Sequence, residues 1–284
     1  MADCRFCGKP AGFLRHQHAE CRRIHDEATA KIPTLFVRAL HDPMPADRFR
    51  SLVDQSTGRS FIGSSERDQL VRQGLGAAVH AALGNGGLAS ADDERLGELQ
   101  SAFSLSLADL GSEGTALAKA RILRSLDAGK APSINIELNG PLAPRLENGE
   151  RVVWPFNNVT YLTMRSRTQY VGRSSGVSIR VMRGVYYRTG AFQGEPIRTD
   201  YFSSEDLGSL TIADKNVYFV GTHRALKIPF KKLASAQLYS DGIEILQNGV
   251  TAKPLIFKVD DPPFAANLIA RLPLDEMQAK GDKK

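Results

Sequence analysis

Cys4, Cys7 and Cys21 are the only cysteines of a 284-residue chain, and all three lie in its first 21 positions. An odd, clustered count argues against a disulfide framework and for thiolates that share a ligand. The stretch runs Cys4-Arg5-Phe6-Cys7-Gly8-Lys9-Pro10 and, after a short span, His16-Gln17-His18-Ala19-Glu20-Cys21. Two residues between Cys4 and Cys7 let one tight turn aim two thiolates at one ion. Gly8 suits that turn because it tolerates positive φ. His18 and Cys21 are three apart, so on a helix they project from one face. The four together make a closed tetrahedral Zn2+ site, with Zn–S about 2.3 Å and Zn–N about 2.0 Å. His16 and His25 compete for the histidine place, since Cys21-x3-His25 is also a workable helical spacing. His18 is preferred because His18-x2-Cys21 mirrors the first pair.

Metal is needed here for a physical reason. About 20 residues cannot bury enough apolar surface to fold alone, so the ion must supply the stability around Phe6, Phe13 and Leu14. The pattern Cys-x2-Cys-Gly-Lys, Gly12-Phe13, His-x2-Cys resembles the short treble-clef-like zinc fingers that open many bacterial proteins. The resemblance covers residues 4–21 and implies one structural zinc. A site with four protein ligands leaves no open position for catalysis.

Other chemistry is absent from the residue pattern. Gly172-Arg173-Ser174-Ser175-Gly176 has the spacing of a serine nucleophile elbow, with Asp200, Asp206 and Asp214 ahead of His223. That elbow requires a strand-to-helix turn, whereas Val177–Met182 reads as a strand, which makes the glycine-rich stretch a hairpin loop. Gly74-Leu75-Gly76 lacks the third glycine of a dinucleotide loop and lies within a helical pattern. A calcium loop counted from Asn85 puts Leu96 at the position that needs a bidentate carboxylate. There is no Gly-Lys-Ser/Thr phosphate loop and no His-Glu-x2-His. The chain is therefore read as not an enzyme.

Around the finger, the pattern divides. From Ile24 to Gly129 apolar residues recur at helical spacing, as in Ile32, Leu35, Phe36 and Leu40, and in Leu70, Leu75, Ala78, Val79 and Leu83. Pro43 and Pro45, then Gly84–Gly87, interrupt it. Ser64 or Ser65, Ser90 with Asp93, and Ser106 with Asp109 are the expected N-terminal caps. Lone His41 and His80 are read as structural. The Leu83–Leu96 segment resembles the helix–loop–helix phrasing of tellurite-resistance-type helical domains. Pro141-Leu142-Ala143-Pro144 reads as linker.

After Glu150 the period becomes two. Short β-rich runs such as Val152–Trp154, Thr160–Thr163, Val177–Met182, Leu210–Ile212, Val217–Val220, Leu226–Ile228, Ile243–Leu246 and Leu255–Val259 alternate with turn residues. Asp214-Lys215, Asp241-Gly242 and Asn248-Gly249 mark turns, and Pro262–Leu272 closes the chain as a helix. The span Gly208–Gly221, with its strand, turn and aromatic strand, and the following Lys227–Leu233 resemble pleckstrin-homology-like and GRAM-like domains. That resemblance implies an antiparallel β-barrel or sandwich capped by one helix. The fold class expected is thus α+β in several domains: zinc finger 1–25, helical domain 26–132, linker 133–149, β domain 150–273 and a disordered tail 274–284.

Net charge is +6, with 18 Lys+Arg against 19 Asp+Glu in residues 1–150 and 19 against 12 in residues 151–284. The basic excess belongs to the second half, which favours acidic partners. Arg165 and Arg167 alternate along one strand face, and with Arg173, Arg180, Arg183, Lys231 and Lys232 they are the candidate binding residues. Arg188 belongs to the same run. No apolar run approaches the roughly 20 residues of a bilayer span, and no secretory signal opens the chain. The expected location is the cytoplasm. The expected function is a zinc-binding adaptor or scaffold with a protein partner or a second copy of itself. Nucleic-acid binding through Arg5, Lys9, Arg15, Arg22 and Arg23 of the finger and the basic C-terminal half is the alternative. A lipid surface ranks third among the expected partners.

Overall fold

The computed structural model describes residues 2–12, 15–42, 44–84, 86–130, 132, 142–174, 177–182, 185–189, 192–249 and 251–272, and for 169–197 it describes the backbone alone. The chain forms two compact units, Met1–Ile134 and Asn135–Lys284. The expected tail and most of the expected linker, Pro141 included, lie outside the described residues.

The first unit is a small hairpin followed by five helices: α1 (Ala19–Ala39), α2 (Ala46–Arg59), α3 (Ser64–Leu83), α4 (Ser90–Ala102) and α5 (Gly111–Asp127). α3 is the hub, with Leu70, Val71, Leu75, Ala78, Val79 and Ala82 all buried. Against it lies α1, whose Phe36 is fully buried. A Cβ on Gly74 would fall 2.4 Å from the Phe36 ring, so only glycine permits this approach. Gly74-Leu75-Gly76 is therefore a helix-packing notch. Phe49 meets Phe36 edge-on at 5.0 Å and Phe103 lies 5.2 Å from it, which closes the core on the α2 and α4 side.

The helix ends depart from the expected caps. Gly63 and Ala89 hold the N-cap places of α3 and α4, with no side-chain cap bond. Asp93 instead pairs with Arg121 at 2.6 Å and Arg124 at 2.8 Å of α5, because its half-sequestered carboxylate finds two guanidinium groups there. The Ser106–Asp109 pair does close a reciprocal box: Asp109 Oδ2 accepts from the Ser106 backbone N at 2.7 Å, and Asp109 N donates back to Ser106 Oγ at 3.4 Å. Arg95 donates to the Ala39 carbonyl at 2.8 Å, an acceptor that α1 leaves free at its end, and to the Met44 carbonyl at 2.7 Å in the connection to α2.

The second unit is an antiparallel sheet with one helix. Its strands are β1 (Val152–Ser174), β2 (Val177–Met182), β3 (Val185–Thr189), β4 (Phe192–Ala213), β5 (Asn216–Gly221), β6 (Ala225–Pro229), β7 (Leu233–Leu238), β8 (Gly242–Gln247) and β9 (Leu255–Lys258), followed by α6 (Pro262–Arg271). Seven of them form one sheet in the order β6-β5-β4-β1-β9-β8-β7, and β2 pairs with β3 alone. The sheet is open, with β6 and β7 as its edges, where the sequence reading expects a closed barrel or a sandwich.

Cross-strand pairing assembles the core. Leu210 lies opposite Phe219, Ile212 opposite Val217, and Val217 opposite Ile228, so these side chains share a face. Tyr161, Phe219 and Phe257 form a triangle with ring centroids 5.5 to 5.7 Å apart. α6 seals it: Phe264 meets Trp154 edge-on at 5.3 Å, and Leu268 is fully buried. Asp261 caps α6 by accepting the Phe264 N–H at 3.1 Å, with proline in the first turn. Tyr218, on the opposite face by alternation, is also buried. It donates to Glu150 at 2.5 Å, a carboxylate that also receives Asn216 Nδ2 at 2.8 Å. Burial first, then Glu150, pushes the Tyr218 phenol well above its ordinary range.

β1 and β4 are far longer than the short runs expected. β9 pairs with β1 only at Thr160–Leu162, and β5 pairs with β4 only at Gly208–Ile212. From the Thr163–Ser203 pair to the Ser174–Phe192 pair, β1 and β4 have only each other among the described residues. They leave the sheet as a two-stranded arm, on which the β2–β3 hairpin follows in sequence.

Candidate metal centre

The first residues fold back as a hairpin. Asp3 and Pro10 bridge, Cys4 N donates to the Lys9 carbonyl at 2.7 Å, and Gly8 N donates to the Cys4 carbonyl at 2.8 Å. Gly8 takes φ of 69°, the left-handed turn that its place after Cys7 requires. This loop delivers the Cys4 and Cys7 thiols to one side. Cys21 comes from the first turn of α1, and His18 is that helix's N-cap residue, so a single helix start supplies the other two donors.

The ligand atoms of Cys4, Cys7, His18 and Cys21 all lie within 4.8 Å of one another. His18 Nδ1 is 3.4 Å from Cys7 Sγ and 3.7 Å from Cys21 Sγ. A tetrahedral ion with Zn–S near 2.3 Å spaces its ligands by roughly 3.5–3.8 Å, so the four donors fit one metal ion. His18 Nε2 lies 3.1 Å from the Pro10 carbonyl. An N–H on Nε2 donating to that oxygen leaves the Nδ1 lone pair for the ion, the outer-sphere support typical of ligating histidine.

The electrostatics of the pocket are uneven. Burial pushes the Cys4 thiol up, but N–H groups of Cys7, His18 and Phe6 outweigh it and hold the thiol down at about 6. The His18 N–H reaches Cys4 Sγ at 3.4 Å. Burial and the neighbouring Cys7 and Cys4 sulfurs push Cys21 up to about 11. Three sulfurs so close cannot all ionise without a cation among them.

The rival histidines are otherwise employed. His25 hydrogen-bonds Glu66 at 3.1 Å and Asp26 at 3.3 Å, and its ring lies 4.8 Å from Phe6. His16 is exposed, and its carbonyl accepts from Arg5 N at 3.0 Å. Phe6 also approaches Phe61 at 6.3 Å, so the hairpin's apolar contact is with the helical unit. Phe13 and Leu14 lie outside the described residues. α1 runs unbroken through positions 25 and 26, and the finger and the helices lie in one compact unit.

The other candidate residues stand on separate elements. Arg165 and Arg167 lie on the arm, where Arg165 binds Glu205 at 2.6 Å. Arg173 and Arg180 occupy strand positions opposite Gln193 and Tyr186. Arg183 is outside the described residues. Lys231 and Lys232 are exposed on the short 3-10 turn Phe230–Lys232. β1 ends at Ser174 and β2, rather than a helix, begins at Val177, so the described residues hold no strand-to-helix elbow here; Ser175 and Gly176 lie outside them. β1 pairs with β4, and β2 with β3, so β1 and β2 do not form the single hairpin that the sequence reading expects. Asp206 accepts backbone N–H groups of Leu207, Thr222, His223 and Arg224 at 2.8–3.1 Å, which assigns it to holding the β5–β6 turn.

Beside the metal centre, an open cleft of about 880 Å³ is lined by Arg5, Arg15, Arg22 and Arg23 with Asp26 and Glu27. Arg22 pairs with Asp26, and Arg23 with Glu20 and Glu27. Comparison of the chain with family models, curated proteins and solved structures returns no match. No helix among the described residues is long and apolar enough to cross a membrane.

Proposed function

We propose that the protein is a non-enzymatic zinc-binding adaptor of the cytoplasm, whose second unit is a pleckstrin-homology-like domain that docks a protein partner along its open β7 edge. Three thiolates and one imidazole at tetrahedral spacing are the donor set of structural zinc. The seven-stranded antiparallel order with α6 packed on its core supports the pleckstrin-homology-like reading, although the sheet is open.

The observation that carries the docking is the edge itself. β7 pairs only with β8, and at the end of β7, where the chain turns into β8, Leu238 is 54% exposed and Tyr239 41% exposed. An edge strand with one side unpaired and exposed apolar residues at its end is a template for a further strand. The finger offers less as a nucleic-acid reader, because carboxylates neutralise Arg22 and Arg23 on the same helix.

The test compares tagged wild-type chain with Leu238→Asp/Tyr239→Asp after co-purification from the native host, with self-association measured by sedimentation. A partner or second copy retained by wild type and lost from the variant is the expected result. Equal recovery by both, with both folded, overturns docking at β7. Elemental analysis should give one zinc per chain.

A further inference from the structure

The two edges of the sheet are built differently. β6 carries Lys227 at its centre and Pro229 at its end, and Lys227 pairs with Glu147 of the chain that leads into the sheet. Charge and proline on an edge block further pairing. β7 reads Leu233-Ala234-Ser235-Ala236-Gln237-Leu238 and holds neither. We propose that the occupant of the β7 edge is a second copy of this chain, paired strand to strand about a two-fold axis so that the two sheets become one. The proposal rests on the reading of β7 as the docking edge and names the partner of that edge.

Backbone direction comes first. Tyr239 N donates to the Gly242 carbonyl at 2.9 Å, and bonded positions alternate along an antiparallel pair. Tyr239, Gln237 and Ser235 therefore face β8, while Leu238 and Ala236 turn their N–H and C=O groups to the open side. The register shift between Leu233 and Ser235 confines the regular edge to the residues from Ser235 onward. A two-fold axis at Gln237 uses that whole stretch. Ala236 of each copy then exchanges both backbone bonds with Leu238 of the other.

The side chains suit the same register. Leu238, 54% exposed, comes to lie beside the small Ala236 of the other copy, on the face of the sheet that it shares with Ile243. Tyr239, 41% exposed, falls beside Ser235 of the other copy. Exposed Gln237 meets Gln237, and an amide that both donates and accepts can satisfy its own copy.

Charge decides for a second copy over a foreign strand. Lys231 and Lys232 are exposed on the turn that precedes β7 and have no ion pair among the described residues. Asp241, with its side chain 66% exposed, lies in the turn that follows β7, 3.1 Å from Lys258. Antiparallel self-pairing sets the start of one strand beside the end of the other. Each Lys231–Lys232 turn thus meets an Asp241 turn, at both ends of the interface. A foreign strand has no reason to match both signs in this order, whereas a two-fold copy does so by symmetry.

The test is sedimentation equilibrium of the full-length chain from about 1 to 100 μM at low salt, where a reversible dimer is expected. Lys231→Glu/Lys232→Glu and Asp241→Lys each set like charges against one another at both junctions, and each should weaken the dimer about tenfold or more. An equimolar mixture of these two variants has opposite charges at both junctions again and should recover the dimer, which damaged folds would not do. Ala236→Pro deletes an N–H on the open side, where an edge strand accepts proline, and should leave a folded monomer. A wild-type chain that stays monomeric at about 100 μM overturns the proposal. So does a mixture of the folded charge variants that recovers no dimer, or a dimer that survives Ala236→Pro. A monomeric wild type whose co-purified foreign protein is lost from Leu238→Asp/Tyr239→Asp overturns the second copy and leaves the docking edge standing.

Discussion

The metal centre of the first unit and the core of the second are assembled over very different sequence distances. In the first, the metal centre draws on residues 4 to 21, and each donor is placed by a turn or a helix start only a few residues away. In the second, Trp154 and Phe156 pack on Phe264, more than 100 residues later, and Tyr161 packs on Phe219 and Phe257. Short-range geometry is written in spacing, so the three cysteines and a histidine close to Cys21 can be named as the donors from sequence. Long-range pairing depends on which strands find one another, and spacing does not state that.

Perturbations in both units sharpen this contrast. If the proposed zinc is present, removing it should have the largest local effect, because a structural zinc contributes on the order of 10 kcal/mol to so small a fold. Cys7→Ser should release the ion and expose the hairpin and the first turn of α1 to proteolysis, while the β unit's melting stays in place. Retention of a full equivalent of zinc by this variant would refute the ligand set.

Phe219→Ala comes next, because it empties the centre of the aromatic triangle. A loss of roughly 3–5 kcal/mol is expected for the β unit, read by denaturant titration. Leu268→Ala should lower the same transition by about 2–5 kcal/mol. A loss below about 1 kcal/mol for both would mean that α6 does not seal the sheet.

Gly74→Ala should destabilise the helical unit by about 1–3 kcal/mol, since the new methyl collides with the Phe36 ring. Phe36→Leu in the same chain should recover part of that loss. Failure of the pair to couple would place the constraint elsewhere.

The smallest effect concerns pH. Burial raises the Asp206 carboxyl, but backbone N–H groups of His223, Arg224, Leu207 and Thr222 outweigh it and hold the group below its ordinary value. A carboxylate depressed in the folded state contributes stability above its unfolded pKa of about 3.9, and that contribution is lost as pH falls through the folded value. Asp206→Asn should therefore flatten the acid limb of the β unit's stability below about pH 4 and leave the helical unit's limb unchanged. Parallel acid limbs in wild type and variant would remove Asp206 from this role.

Much of the molecule was legible in order. The alternation of Val217, Tyr218 and Phe219 and the apolar pair Leu210 and Ile212 predict a shared core, and all of these residues are buried. Tyr218 is buried too, although alternation assigns it to the far face, because Glu150 and Asn216 give its hydroxyl partners there. Ser90 with Asp93 has the look of a capping box, yet Arg121 and Arg124 take the carboxylate from a helix about 30 residues away. Local pattern predicts a local bond, and a stronger distant partner displaces it.

Residue types and their spacing alone determined that donors able to share one metal ion cluster near the N-terminus, that helices precede strands, and that the second half carries the positive charge. Only the tertiary structure decided which histidine serves the site, because His16, His18 and His25 all have workable spacings and differ only in what surrounds them. It also decided that the sheet stays open and that β1 and β4 run on beyond it as an arm. A strand's length in sequence is a matter of propensity, but where its hydrogen bonds stop depends on how far its neighbours reach. β5 and β9 are short, and so the long strands are left with only each other.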